Sequence, residues 1–123
     1  MKYLALVYFE ETEIAKLTQR EWDDMNLHCL EFNDEIARSG HRLGGEALEP
    51  THTATTVRVR NGKVQTVDGP FAETREQLAG FYFFEAKDLD EALAIAARIP
   101  PAKYGSIEVR PVRELKSEGQ NSR

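Results

Sequence analysis

Three patterns in the sequence predict an α+β fold built on one sheet. Residues 3–9 and 80–86 are strand-like runs that are apolar on both alternating sets. Each is followed by an amphipathic helix pattern and then by another strand-like run. Between the second and third core strands lies Asn61-Gly62, flanked by alternating residues, which is a strong short-range hairpin signal. The resulting order is strand, helix, strand, inserted β-hairpin, strand, helix, strand. That is a split βαβ, or ferredoxin-like, arrangement. Its first and third core strands are central, and those are the two runs apolar on both sides, so pattern and topology agree.

The chain in order justifies each element. Tyr3, Ala5, Val7 and Phe9 alternate with Leu4, Leu6 and Tyr8 in the first strand. After a short acidic connection, Thr18 and Glu21 form the Ser/Thr-x-x-Glu pattern of a capping box. Trp22, Met25, Cys29, Phe32 and Ile36 then recur at helical spacing, and Gly40 stops the helix. Arg42 to Leu48 is a second strand, in which Gly44-Gly45 marks a bulge or a place of close backbone approach, and Pro50 ends it. Residues 53–60 and 63–67 make the hairpin, polar on one face. Glu73 to Leu78 is expected to hold a helical turn or two before the strand over 80–86. Asp88 caps a helix carrying Leu89, Ala92, Leu93, Ala96 and Ile99, which Pro100-Pro101 ends. Ile107, Val109 and Pro111 define the last strand, and the domain is expected to span 1–114 with a polar tail over 115–123. Two helices cover only one face of such a sheet, so a second copy packed sheet to sheet, as a homodimer with a barrel-like α+β interior, is the economical cover for the other.

Composition narrows the function classes. The 123 residues suffice for one core. A net charge of −5 argues against direct nucleic-acid binding, which needs a local Lys/Arg excess. No apolar run approaches the roughly 20 residues of a membrane helix, and no leader pattern is present at the N-terminus. The single cysteine, Cys29, precludes an internal disulfide and fits a reducing cytoplasm, the expected location. His28, His41 and His52 lack metal-ligand spacing, and neither a cofactor nor a metal is expected; a carboxylate set of Glu46, Asp68 and Glu73 is the nearest approach to a magnesium site.

The most chemically specific stretch is Val67-Asp68-Gly69-Pro70-Phe71-Ala72-Glu73-Thr74-Arg75-Glu76-Gln77-Leu78. Asp68 follows a strand, a rigid support from which a carboxylate can act as general acid or base. Gly69 permits positive φ, Pro70 stiffens the turn, and Phe71 is expected to pack the loop down. Arg75 can hold an anion, with Glu46 and Glu73 assisting. His28 is a second candidate proton carrier, and Tyr8 and Tyr82 can supply hydroxyls to a pocket. The catalytic candidates are therefore Asp68 and His28. The binding candidates are Glu46, Gly69, Pro70, Phe71, Glu73, Arg75 and Tyr82. Against them stands a plain alternative: Asp-Gly-Pro is good turn chemistry by itself, and Glu-x-Arg is a common surface pair.

At these residues the sequence resembles the YCII-related family, in particular its DGPF-domain branch. The resemblance is carried by Gly44-Gly45-Glu46-Ala47-Leu48-Glu49-Pro50, residues 53–62, Asp68 to Leu78, Gly80-Phe81-Tyr82, Asp88-Leu89-Asp90-Glu91-Ala92 and Ser106 to Pro111, nearly the whole chain. It implies a ferredoxin-like, dimeric α+β fold and no settled activity. The wider family's suspected enzymatic role rests on a His on the first helix and an Asp near the end of the second. His28 is an approximate counterpart of the first, but Arg98-Ile99-Pro100 stands where the second belongs, so that pair is not carried over and Asp68 is the better acid. Ala79 and Arg75 depart from the branch's usual Gly and Lys. Members of the branch also occur fused to, or encoded beside, extracytoplasmic-function sigma factors. Three readings therefore stand: a small-molecule-binding protein, with or without proton-transfer chemistry, a non-enzymatic accessory or sensor linked to a sigma factor, and a purely structural motif.

Overall fold

The computed structural model describes residues 1–116, and most of the polar tail expected over 115–123 lies outside them. The sheet is assembled on β1 (Lys2–Phe9), which pairs antiparallel with β5 (Gln77–Glu85) on one side and β6 (Gly105–Pro111) on the other. β2 (Arg42–Ala47) adds to the outer edge of β5, giving the order β2-β5-β1-β6. The two runs that are apolar on both alternating sets are thus the two central strands. β3 (Thr55–Arg60) and β4 (Lys63–Asp68) form a separate two-stranded sheet, with Asn61 and Gly62 at positive φ (52° and 74°) as the hairpin turn requires.

Register separates the two faces of the main sheet. Tyr3 is opposite Phe84, Ala5 opposite Tyr82 and Val7 opposite Gly80, so these residues share a face. That face meets α2 (Gln19–Arg38) and α3 (Leu89–Ala96) in a core containing Phe32, Ile36, Ile95 and Ile99. The alternate set, Leu4, Leu6, Phe81 and Phe83, points the other way and is only partly buried.

Local chemistry sets the helix limits. Thr18 Oγ1 accepts from Glu21 N at 3.1 Å while the Glu21 carboxylate accepts from Thr18 N at 2.9 Å, completing the capping box. Those bonds hold the exposed Glu21 carboxyl below its ordinary range. At the other end His41 N reaches Ile36 O and Gly40 N reaches Ala37 O, the paired bonds of a Schellman closure. Asp88 caps α3 through Glu91 N at 2.9 Å.

The structure departs from the sequence reading in three places. The acidic connection contains a short helix, α1 (Glu11–Ile14). The segment expected to make a helical turn over 73–78 instead bends and enters β5, because Gln77 pairs with Phe9 and Leu78 with Tyr8. Ladder hydrogen bonds to a central strand outweigh a weak local helix preference. On the α2 stripe, Met25, Phe32 and Ile36 are buried, but Trp22 is 38% exposed and Cys29 only partly buried. No described helix is long and apolar enough to cross a membrane.

Phe84 is fully buried in the core and Thr18 is an exposed cap. Phe84→Ala is expected to cost about 3–5 kcal/mol and Thr18→Ala about 1 kcal/mol in urea unfolding. Equal losses in the two variants would contradict this placement of the core.

Candidate functional site

A cavity of about 1120 Å³ lies between α2, α1 and one end of the sheet. Its origin is legible in the register. At this end the helix-facing positions of β2 and β5 are Gly45, Ala47 and Gly80, with Gly45 opposite Tyr82 and Ala47 opposite Gly80. A Cβ on Gly45 would lie 2.8 Å from Phe81 O, and one on Gly80 would lie 2.8 Å from Glu46 O. The two strands approach closely there, and Gly45 and Gly80 raise no side chain toward the helix above, leaving a gap bounded by Val7 and Tyr82. α2 and the sheet are held apart further along by Phe32 against Tyr82, edge to face at 5.2 Å between ring centres. The space above the glycines is left open.

Polar groups gather on the wall where α2 faces β2. Arg42 Nε donates to Asn33 Oδ1 at 3.1 Å and Nη2 donates to Gly45 O at 3.3 Å. The Tyr82 hydroxyl and the Cys29 thiol adjoin each other. Burial drives the Tyr82 hydroxyl well above its ordinary value, the thiol adds to this, and Arg42 opposes it. Burial likewise pushes the Cys29 thiol up, against a smaller pull from Tyr82. Both groups are therefore protonated and neutral at physiological pH. Burial thus works against a thiolate at Cys29, and Tyr82 serves as a hydrogen-bonding group rather than a base.

At the other end of the cavity the Glu11 carboxylate is engaged. It accepts from Thr51 N at 2.9 Å and from Thr51 Oγ1 at 2.6 Å, tying α1 to the turn after β2. The Glu11 amide in turn donates to Gln77 Oε1 at 2.8 Å. Gln77 Nε2 donates to Thr74 O at 2.6 Å and to Arg75 O at 3.3 Å. One side chain thus clamps the end of the Asp68–Leu78 motif against the cavity's α1 wall.

Of the residues singled out from sequence, Glu46 and Tyr82 line this cavity. Asp68, Gly69, Pro70, Phe71, Glu73 and Arg75 do not. Asp68 is exposed at the end of β4, and among the described residues the side chains of Asp68, Glu73 and Arg75 make no hydrogen bond or ion pair. Gly69, at φ 107°, donates its N–H to Ala54 O at 2.7 Å and accepts from Thr56 Oγ1 at 2.9 Å, so its backbone closes the base of the hairpin. Phe71 was expected to pack the loop down but is 79% exposed; Gln77 and the backbone bonds of Gly69 hold the loop instead. His28 lies on a separate shallow depression with Glu31, Glu35, Arg98 and Lys103, which Asp68 does not line. Arg98 pairs there with Glu35 and lies over the Phe32 ring. Tyr8 points to the opposite face from Tyr82, with its hydroxyl 3.4 Å from Glu108. Burial first, and then Glu108, raise its pKa. Glu46, Asp68 and Glu73 are not gathered: among the described residues no group of three or more His, Cys, Asp or Glu is placed to hold a metal ion.

Arg42 and Asn33 escaped the sequence reading for a physical reason. Strict alternation through β2 puts Arg42 with Gly44 and Glu46, away from the helices. The register shifts between Arg42 and Gly44, so Leu43 bulges out, 45% exposed, and Arg42 turns toward α2. The Gly44-Gly45 pair was the available signal.

A family model described as the YCII-related domain matches residues 1–116. An uncharacterized protein of Rhizobium meliloti (strain 1021) is 38% identical over 115 residues, which cover 91% of this chain and 92% of that relative.

Gln77→Ala removes the clamp on Glu11 N, Thr74 O and Arg75 O. It is expected to cost about 1–3 kcal/mol and to speed amide hydrogen exchange across 71–76 while leaving exchange in β1 near Tyr3 unchanged. Unaltered exchange in the motif would show that other contacts hold the loop.

Proposed function

The chain belongs to the YCII-related family, and we propose that it binds a small organic molecule in the cavity between α2 and the sheet. The observation that carries this reading is the floor of Gly45, Ala47 and Gly80, which leaves about 1120 Å³ open beside Tyr82, Cys29 and Arg42. Concave, mainly apolar sites of this size with a few convergent polar groups are the usual form of ligand pockets. The wall where α2 faces β2 supplies the Arg42 guanidinium and the neutral Tyr82 and Cys29, a set suited to recognition. Proton transfer by Asp68 would require the substrate to reach the motif loop outside this cavity. Trp22 is the only tryptophan and lines the cavity, so its fluorescence reports occupancy. The neutral apolar probe N-phenyl-1-naphthylamine is expected to quench it saturably. Cys29→Phe and Ala47→Phe, which fill the cavity, are expected to abolish that response while the fold persists by circular dichroism. Saturable binding that survives both substitutions would place the ligand elsewhere.

A protein-partner reading is favoured by a different observation. The motif loop and the hairpin are turned outward, with Phe71 79% exposed and Val57, Val59 and Val64 on one exposed hairpin face. An isolated two-stranded ribbon has little stability in water, and a contiguous apolar surface marks an interaction site. We assign the open sheet face, and this ribbon with it, to a homodimer. An extracytoplasmic-function sigma factor, the partner implied by the DGPF-branch resemblance, is the rival occupant of the loop. Asp68→Asn keeps shape and removes charge. Loss of the dimer in sedimentation would assign the loop to self-association; loss of sigma-factor binding with the dimer intact would assign it to regulation.

A further inference from the structure

The cavity contains a cation whose charge the fold leaves unpaired. Arg42 is partly buried on the helix-facing side of β2. Its Nε and Nη2 are committed to neutral acceptors, Asn33 Oδ1 and Gly45 O, at 3.1 and 3.3 Å. These contacts fix the plane of the guanidinium and leave the N–H groups of Nη1 without an acceptor among the described residues. No described carboxylate forms an ion pair with it, although the chain carries 21 Asp and Glu. The groups beside it, Tyr82 and Cys29, are held neutral by burial.

The other charged groups of the cavity lie away from this wall. Glu11 is taken up by Thr51. Arg42 and Glu46 lie opposite Phe84 and Phe81, three ladder positions apart, roughly 10 Å at the rise of an extended strand, and Glu49 follows the strand's end. The cavity is therefore cationic at one end, with an apolar surface of Trp22, Met25 and Tyr82 in reach of that end. Guanidinium groups with fixed planes and free N–H groups bind carboxylates in two-pronged fashion, and partial burial strengthens the contact by excluding water.

We propose that the ligand is a small organic carboxylate, its carboxylate held by Arg42 and its apolar body laid against Trp22, Met25 and Tyr82. Asn33 acts as a positioning residue, since it sets the guanidinium plane without facing the ligand's charge. This inference rests on the cavity reading above and adds the chemical class of its occupant.

The test compares 2-naphthoate with its neutral isostere 2-naphthamide by isothermal titration calorimetry. Wild-type protein is expected to prefer the carboxylate by about 10- to 100-fold, the worth of a hydrogen bond to a charged group. Arg42→Gln keeps a donor for Asn33 and removes the charge; it is expected to abolish the preference by weakening naphthoate binding far more than naphthamide binding. Arg42→Lys is expected to retain part of the preference, because it keeps the charge but loses the fork. Asn33→Ala is expected to weaken naphthoate more than naphthamide. Equal wild-type affinities, or a preference that survives Arg42→Gln, would overturn the assignment of Arg42 while leaving the cavity reading intact. Failure of wild type to bind either compound would overturn both.

Discussion

The close approach of β2 and β5 at Gly45 and Gly80 is the constraint on which most of this structure depends. At both positions a Cβ would press to 2.8 Å of a carbonyl oxygen on the neighbouring strand. With no side chain there, the strands lie close and the helix-facing floor is flat. α2 cannot descend to fill the gap, because Phe32 rests on Tyr82 further along and the core of Phe84, Tyr3 and Ile36 is fully packed. Close packing in one half of the helix–sheet interface and a void in the other follow from the same stripe of α2, met by large residues at one end and by glycines at the other.

The same floor explains the polar wall. The bulge at Leu43 turns Arg42 inward, and Gly45 offers its carbonyl to the guanidinium while placing no side chain in its way. A half-buried cation in an acidic chain would ordinarily find a carboxylate. Here it is anchored by an amide and a backbone carbonyl, which fix geometry without neutralising charge. That arrangement carries a desolvation cost, which the carboxylate proposed above would offset.

The long motif divides into two kinds of residue. Gly69, Thr74 and Gln77 spend their hydrogen bonds inside the chain, closing the hairpin base and clamping the loop to α1. Among the described residues the side chains of Asp68, Glu73 and Arg75 make none, and with Phe71 they are exposed beside a hairpin whose valines are exposed. The loop is thus structural at its ends and unpartnered at its centre. Its unpartnered surface adjoins a ribbon that cannot be stable alone, while the cavity lies on the other side of the Gln77 clamp.

The sequence by itself determined the sheet and its order. Alternation that is apolar on both sides marks a central strand whatever surrounds it, and the Thr18–Glu21 box, Asn61-Gly62 and Asp88 specify their local geometry through nearest neighbours. It also marked Glu46 and Tyr82, which line the cavity. Only the tertiary structure decided where the chemistry gathers. Arg42 faces the cavity because a bulge breaks the period of two, a register event that no local pattern encodes. The segment 73–78 became bends and strand because its partner is Phe9, far away in sequence. Phe71 reads as a core anchor by residue type but is exposed because the loop is secured elsewhere. Residue type and spacing record local preference; which face a side chain meets is fixed by pairing across the sheet.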